Sequence, residues 1–392
     1  MEPKSFVDES NTVEILRDLI RINSVNPSLV SGAPGEGEIA EYISDFLNSI
    51  GMKIEIAFVQ KDRPNVVGKT GGDGPVLMLN GHMDTVGVDY MKDDPFKPVK
   101  RDGNIYGRGA ADMKGGLAAI LSAAKAVMDS GCELEGCLLV AAVCDEEHAS
   151  IGTEKLMKEA LVDAAVVGEP TNLDILIAHK GFAWIDIETR GIAAHGSAWD
   201  EGVDAIAKMV KVQVGLEDYM NDKLLTKKHP ILGPPSVHSS TISGGRELST
   251  YPDVCKLQVE RRLIPGESRK DIEMELELLF SSIRKIDDDF DGNFEITLFR
   301  GPMEVRRDAE LCKLLSDCVI SVTGIKPKFI GRSYWLDTQI ISEHGVPVVA
   351  FGPKGYGLHA AVEYVEIDSV VQNAVILESL IKKYCGVATP GR

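Results

Sequence analysis

The chain has no CxxC pair, no apolar run long enough to span a bilayer and no cluster of Lys and Arg, and each absence closes off a class of protein. Its seven cysteines, Cys132, Cys137, Cys144, Cys255, Cys312, Cys318 and Cys385, are odd in number. They are expected to be small buried hydrophobes in a reducing compartment, which excludes a disulfide framework and disfavours a zinc–thiolate site. The opening MEPKSFVDES lacks the basic and apolar regions of a secretory leader, so a cytoplasmic protein is expected. A formal charge of −18 and a pI near 4.9 repel phosphate backbones and anionic membranes, so neither nucleic acid nor membrane is expected as a partner. There is no internal repeat and no low-complexity segment. No G-x-G-x-x-G follows a strand, which argues against a nicotinamide oxidoreductase.

What is present is ordinary globular sequence: 392 residues, 44% of them hydrophobic, enough for two or three domains with substantial cores. Asn11 and Glu14 resemble a capping box, and Val13, Leu16, Leu19 and Ile20 continue at helical spacing. A second helix is marked by Ile39, Tyr42, Ile43, Phe46 and Leu47 and stopped by Gly51. Apolar runs at 76–79, 138–143 and 164–167 read as interior strands of an α/β sheet. Each is followed by groups that could ligate a metal: GHMDTV at 81–86, CDEEH at 144–148 and GEPT at 168–171. GRGAADMKGG at 107–116 places Asp112 just before an Ala-rich helix at 117–128, and a fourth apolar run at 346–351 leads to GPKGYGLHA with His359. Because ligands in open α/β sheets bind outside the carboxyl ends of strands, this repeated placement points to one shared site.

From about 178 the pattern changes to β-α-β-β-α-β, with strands expected at 184–189, 237–242, 256–263 and 294–299 and helices at 203–216 and 272–286. That order fits a ferredoxin-like unit inserted into the larger domain.

The candidates are therefore His82, Asp84, Asp112, Glu146, Glu147, Glu169 and His359; His148 reads as a surface loop residue. Imidazole and carboxylate suit Zn²⁺ or a similar divalent ion, and the surplus of donors suggests two metals sharing a carboxylate. His82 and Asp84, two apart in an extended segment, would point the same way, the Asp orienting the second ring nitrogen of the ligand. Glu146 and Glu147, adjacent at a strand end, would point to opposite sides, one as ligand and the other facing substrate as base.

Together GHMDTV, GRGAADMKGG, DEE at 145–147, GEPT, RGIAAHGS at 190–197, RRLIPGE at 261–267 and GLHA resemble the di-zinc aminoacylase and carboxypeptidase family. The similarity is strongest to its acetylornithine deacetylase and succinyl-diaminopimelate desuccinylase branch. The resemblance runs in order over most of the chain. It implies an α/β fold: a mixed-sheet, zinc-exopeptidase-like catalytic domain at 1–177 and 300–392, interrupted at 178–299 by an α+β lid and dimerisation domain. It implies that His82 and Glu169 hold one metal and Glu147 and His359 the other, with Asp112 bridging, Asp84 orienting His82 and Glu146 as general base. The ions would be Zn²⁺, with Co²⁺ an alternative. His195 would donate to the oxyanion, often from the partner subunit of a homodimer. Arg262 would clamp a substrate carboxylate, with Gly355 and Gly357 offering backbone N–H groups.

One departure is Ser249 in RELSTYPD, where the family commonly has a substrate-binding Asn; another is Trp335 in WLDT, which replaces a more polar segment. The activity implied is hydrolysis of the amide of an N-acyl amino acid by a metal-activated water. A dipeptidase or carboxypeptidase would use the same site, and a catalytically silent binding protein would keep the fold without the metal.

Overall fold

A computed structural model describes residues 5–388, so MEPK, the first part of the opening MEPKSFVDES, lies outside the described residues. The chain divides into two compact units: 1–177 with 305–330 and 336–392, and 178–304 with 331–335.

In the first unit, the strands Cys137–Val143, Val76–His82, Ala164–Val167 and Val348–Ala350 lie side by side in that order, all parallel. Their carboxyl ends therefore share one edge. The hairpin of Lys53–Gln60 and Arg63–Gly71 adds antiparallel strands beside Cys137–Val143, making the sheet mixed. The parallel strands are buried along almost their whole length, as their unbroken apolar runs require. Helices Glu9–Arg21, Gly115–Asp129, Ile367–Cys385 and Glu310–Thr323 pack in sequence against one another. Gly115–Asp129 is buried on nearly every side, which explains why it is apolar all round.

The first helix is capped by the Asp8 carboxylate, which accepts from the Asn11 backbone N–H at 2.7 Å, and not by the Asn11–Glu14 pair expected from the sequence. Asn11 falls inside the first turn, where an anionic acceptor three residues earlier already serves its N–H.

A small antiparallel sheet runs Gly355–Tyr356, Tyr364–Glu366, Asn104–Tyr106, Val99–Arg101. It brings together the loops that follow Tyr106 and precede Tyr364.

The second unit is a four-stranded antiparallel sheet ordered Ser236–Gly244, Val254–Leu263, Gly181–Arg190, Asp291–Arg300. Helices Ala205–Asp222 and Arg269–Arg284 complete a ferredoxin-like β-α-β-β-α-β order. Ile185, Ile187, Leu257, Val259, Met209, Leu276 and Phe280 form part of its core. A capping box of Ser268 and Asp271 starts the second of these helices. None of the seven cysteines is in a disulfide, and five of them are buried. Among the described residues no helix is long and apolar enough to cross a membrane.

Candidate metal centre

The shared edge of the parallel strands gathers the acids and histidines of the first unit. His82 closes its strand with a side chain 1% exposed. Its Nδ1 lies 3.0 Å from the Asp84 carbonyl oxygen, so a proton on Nδ1 donates there and the Nε2 lone pair faces the cluster. Nε2 is 3.1 Å from Asp112 Oδ1 and 3.5 Å from Glu169 Oε1. On the other side, His359 Nε2 is 2.9 Å from Glu147 Oε2 and 3.3 Å from Asp112 Oδ2. Asp112 thus turns one carboxylate oxygen to each histidine. Two groups of convergent donors result, His82–Asp112–Glu169 and Asp112–Glu147–His359, in each of which the donor atoms lie within 4.8 Å of one another.

Glu146 belongs to neither group; its Oε2 sits 4.0 Å from His82 Nε2. The two glutamates do not alternate on a strand. Asp145, two residues beyond the end of the strand, takes a left-handed φ of 70°, and the turn that follows directs both side chains towards the cluster. Asp84 also differs from the expectation. Its backbone carbonyl, not its carboxylate (3.7 Å away), makes the close contact to His82. The carboxylate instead accepts from the backbone N–H groups of Glu146 and Glu147, each at 3.1 Å, and from Asn26 Nδ2 at 2.8 Å. It ties the first strand-end loop to the second.

Burial in this crowd disfavours ionised acids. Burial and the charge of Asp112 raise Glu147 and Glu169 to about 7, and burial with neighbouring carboxylates lifts Glu146 well above the ordinary range. The hydrogen bonds to Asp112 and Glu147 push His359 up to about 10, and the carboxylates around His82 outweigh its burial and raise it as well. Protons are held here because negative charge needs company, and divalent cations would supply it. One observation fits that group directly: Glu147 Oε1 is buried without a hydrogen-bond partner.

Several buried residues that shape the centre carry no signal of their own in the sequence. Arg63 forms a fork on Glu36 at 2.5 and 2.6 Å and reaches Asp145 Oδ1 at 2.8 Å, fixing the start of the glutamate loop. Glu363 and Arg108 pair at 2.6 Å beneath Asp112. Asp337 accepts from Thr153 Oγ1 at 2.5 Å, and burial raises its pKa to about 6. Arg108 lies inside GRGAADMKGG and Asp337 inside WLDT, but neither motif shows what its charged side chain holds.

Gly355 and Gly357 have packing reasons to be glycine. A Cβ on Gly355 would meet Ala111 Cβ at 2.7 Å, and one on Gly357 would meet the Val362 carbonyl oxygen at 2.0 Å. The remaining candidates belong to the second unit. His195 is exposed, with Nδ1 2.8 Å from Ser197 Oγ, and its segment pairs with the one bearing Ser249, whose carbonyl accepts from Gly196 N at 2.7 Å. Arg262 donates from Nε to Glu260 at 2.7 Å and lies over the Phe182 ring, 5.2 Å from its centroid. Its neighbour Arg261 is buried between Glu267 and Glu275 and is a structural ion pair. Trp335 meets His179 and Phe182 edge-on at 6.2 and 6.3 Å.

The chain is similar to known proteins over most of its length. The chain is 29% identical over 333 residues to acetylornithine deacetylase of Myxococcus xanthus, covering 83% of this chain and 85% of that one. It is 28% identical to N-formyl-4-amino-5-aminomethyl-2-methylpyrimidine deformylase of Bacillus subtilis (strain 168), covering 98% and 99%. The fold matches that of the YXEP protein of Bacillus subtilis, described as a dinuclear metal-binding peptidase, with a TM-score of 0.73 at 17% identity over 96% and 98% of the two chains. The model of Peptidase family M20/M25/M40 matches residues 78–383, and the chain belongs to that family of amide-bond hydrolases.

Proposed function

We propose that this enzyme removes the acyl group of an N-acyl amino acid by hydrolysing its amide bond, using two divalent ions, Zn²⁺ or Co²⁺. The observation that carries the reading is Asp112, which offers Oδ1 to the His82 group and Oδ2 to the His359 group. His82 and Glu169 would hold one ion, Glu147 and His359 the other, and Asp112 both. Such ions, when bound, acidify the attacking water and polarise the scissile carbonyl.

The protein's own part is proton transfer and orientation. Glu146, close to both groups yet part of neither, takes the proton of the attacking water and passes it to the departing amine. Asp84 fixes the backbone of Glu146 and Glu147 and the tautomer of His82. The second unit, 178–299 in its main part, is assigned the role of lid and dimerisation domain in a cytoplasmic homodimer. In it His195 would donate to the oxyanion, and Arg262 and Ser249, together with Gly355 and Gly357 of the first unit, would receive the substrate carboxylate and acyl group.

A dipeptide would fit the same chemistry, and so would a formamide. The test is a panel of N-acetyl, N-succinyl and N-formyl amino acids and dipeptides, assayed with added Zn²⁺ or Co²⁺ and with a chelator. Preferred hydrolysis of one N-acyl class, abolished by chelation, is expected. Preference for dipeptides would replace the deacylase reading, and chelator-insensitive turnover would overturn the metal.

A further inference from the structure

Asp112 and His359 lie far apart in sequence, and neither belongs to the large sheet. The small sheet brings them together: Tyr106 pairs with Tyr364, their rings 4.8 Å apart, and Gly107 N donates to Glu363 O at 3.2 Å. Where the two loops meet lies a buried ion pair. Arg108 Nη1 donates to Glu363 Oε2 at 2.6 Å, with side chains 1% and 0% exposed.

The other bonds of this pair divide in two directions. Glu363 accepts from the backbone N–H groups of Gly109 at 3.0 Å, Ala111 at 2.8 Å and Asp112 at 3.0 Å, so one carboxylate satisfies the turn that presents Asp112. Arg108 Nη2 donates to the carbonyl of Ala360, next to His359, and to Gly87 O and Tyr90 Oη, each at 3.2 Å. Neither side chain provides a donor to either ligand group. Stability alone does not require such a pair, since apolar side chains of equal volume often replace a buried ion pair without loss. Only a carboxylate can receive three N–H groups and a guanidinium at once.

We infer that Arg108 and Glu363 are positioning residues for one half of the metal centre, yoking the bridging Asp112 to His359. The inference rests on the two-metal reading. His82 and Glu169 are delivered by their own strands, and Glu147 by the Asp84 carboxylate. The pair therefore governs two of the three donors in the Asp112–Glu147–His359 group but only Asp112 in the other. Disturbing it should loosen one ion selectively.

The test is titration of metal-free wild type, Glu363→Gln and Arg108→Lys with Co²⁺, followed by calorimetry and by the visible spectrum of the bound ion. Wild type should take up two ions. In each variant the first event should stay within about threefold of wild type, while the second weakens by about tenfold or more with an altered spectrum, the size usual for groups that orient ligands. Arg108→Lys keeps charge opposite Glu363 and serves if Glu363→Gln does not fold, which thermal melting reports. Equal weakening of both events, or an unchanged second event, would overturn the inference. Fewer than two ions in wild type would instead overturn the two-metal reading, and the inference with it.

Discussion

Glu146 is the side chain whose loss should cost most turnover for least disturbance. Its backbone N–H is held by Asp84 and its carboxylate is not needed for either ligand group, so Glu146→Gln should leave the donors in place. Metal content by elemental analysis should be unchanged while kcat falls by about 10²–10⁴-fold; near-normal turnover would remove Glu146 as base. His179 sets a limit of another kind. Burial pushes its pKa down to about 4, against about 6.5 in an unfolded chain. As pH falls the unfolded state takes up its proton first. The stabilisation is therefore full above about pH 6.5 and is lost on the way down to about pH 4, a change of about 3 kcal/mol. His179→Asn should show a shallower decline of Tm between these limits than wild type, and parallel profiles would place the acid loss elsewhere. At this scale the sequence was informative where a charged residue followed an apolar run, because solvent could not explain it there. His82, Glu146, Glu147, Glu169 and His359 stood out in that way. Glu363 and Arg108 did not: their partners are 255 residues apart, and most of their bonds go to backbone, which leaves no trace in residue spacing.

Helix Gly115–Asp129 comes so close to the strand end bearing Glu169 that only glycine fits at the contact. A Cβ on Gly116 would lie 1.8 Å from the Gly168 carbonyl oxygen. Gly116→Ala should therefore cost about 1–3 kcal/mol despite the better helix propensity of alanine, because the helix must retreat from a packed strand. Denaturant unfolding measures the loss, and a variant as stable as wild type would show that the helix shifts freely. The long elements were legible because period and burial agree over many residues, as in Gly181–Arg190, which alternates along its length. The small sheet was not. Its strands have two or three residues each, too few to establish a period, yet they carry the loops of Asp112 and His359. The first helix cap was missed for a related reason: an Asp, an Asn and a Glu three apart offer two equivalent patterns, and only the backbone turn distinguishes them.

Among the described residues, the second unit leaves an apolar stripe uncovered beside an unpaired strand edge. Ile206, Val210 and Val214 recur every four residues on Ala205–Asp222 and are 38%, 53% and 51% exposed, and that helix packs against the edge strand Ser236–Gly244. Such an edge is ordinarily blunted or covered, which supports the proposed homodimer. Light scattering should give a dimer for wild type and a monomer for the double variant Val210→Glu, Val214→Glu; a monomeric wild type at micromolar concentration would remove the dimer. The parallel sheet has a further consequence, in time. Val348–Ala350 pairs with Ala164–Val167 across roughly 180 residues, whereas the strands of the second unit all pair within one continuous stretch of chain. On the ribosome the later-encoded unit can therefore finish first, while the earlier one waits for its last parallel strand. The proposed centre, which takes a ligand from His359, stays incomplete until that residue has been added, so no amide could be cut there before then.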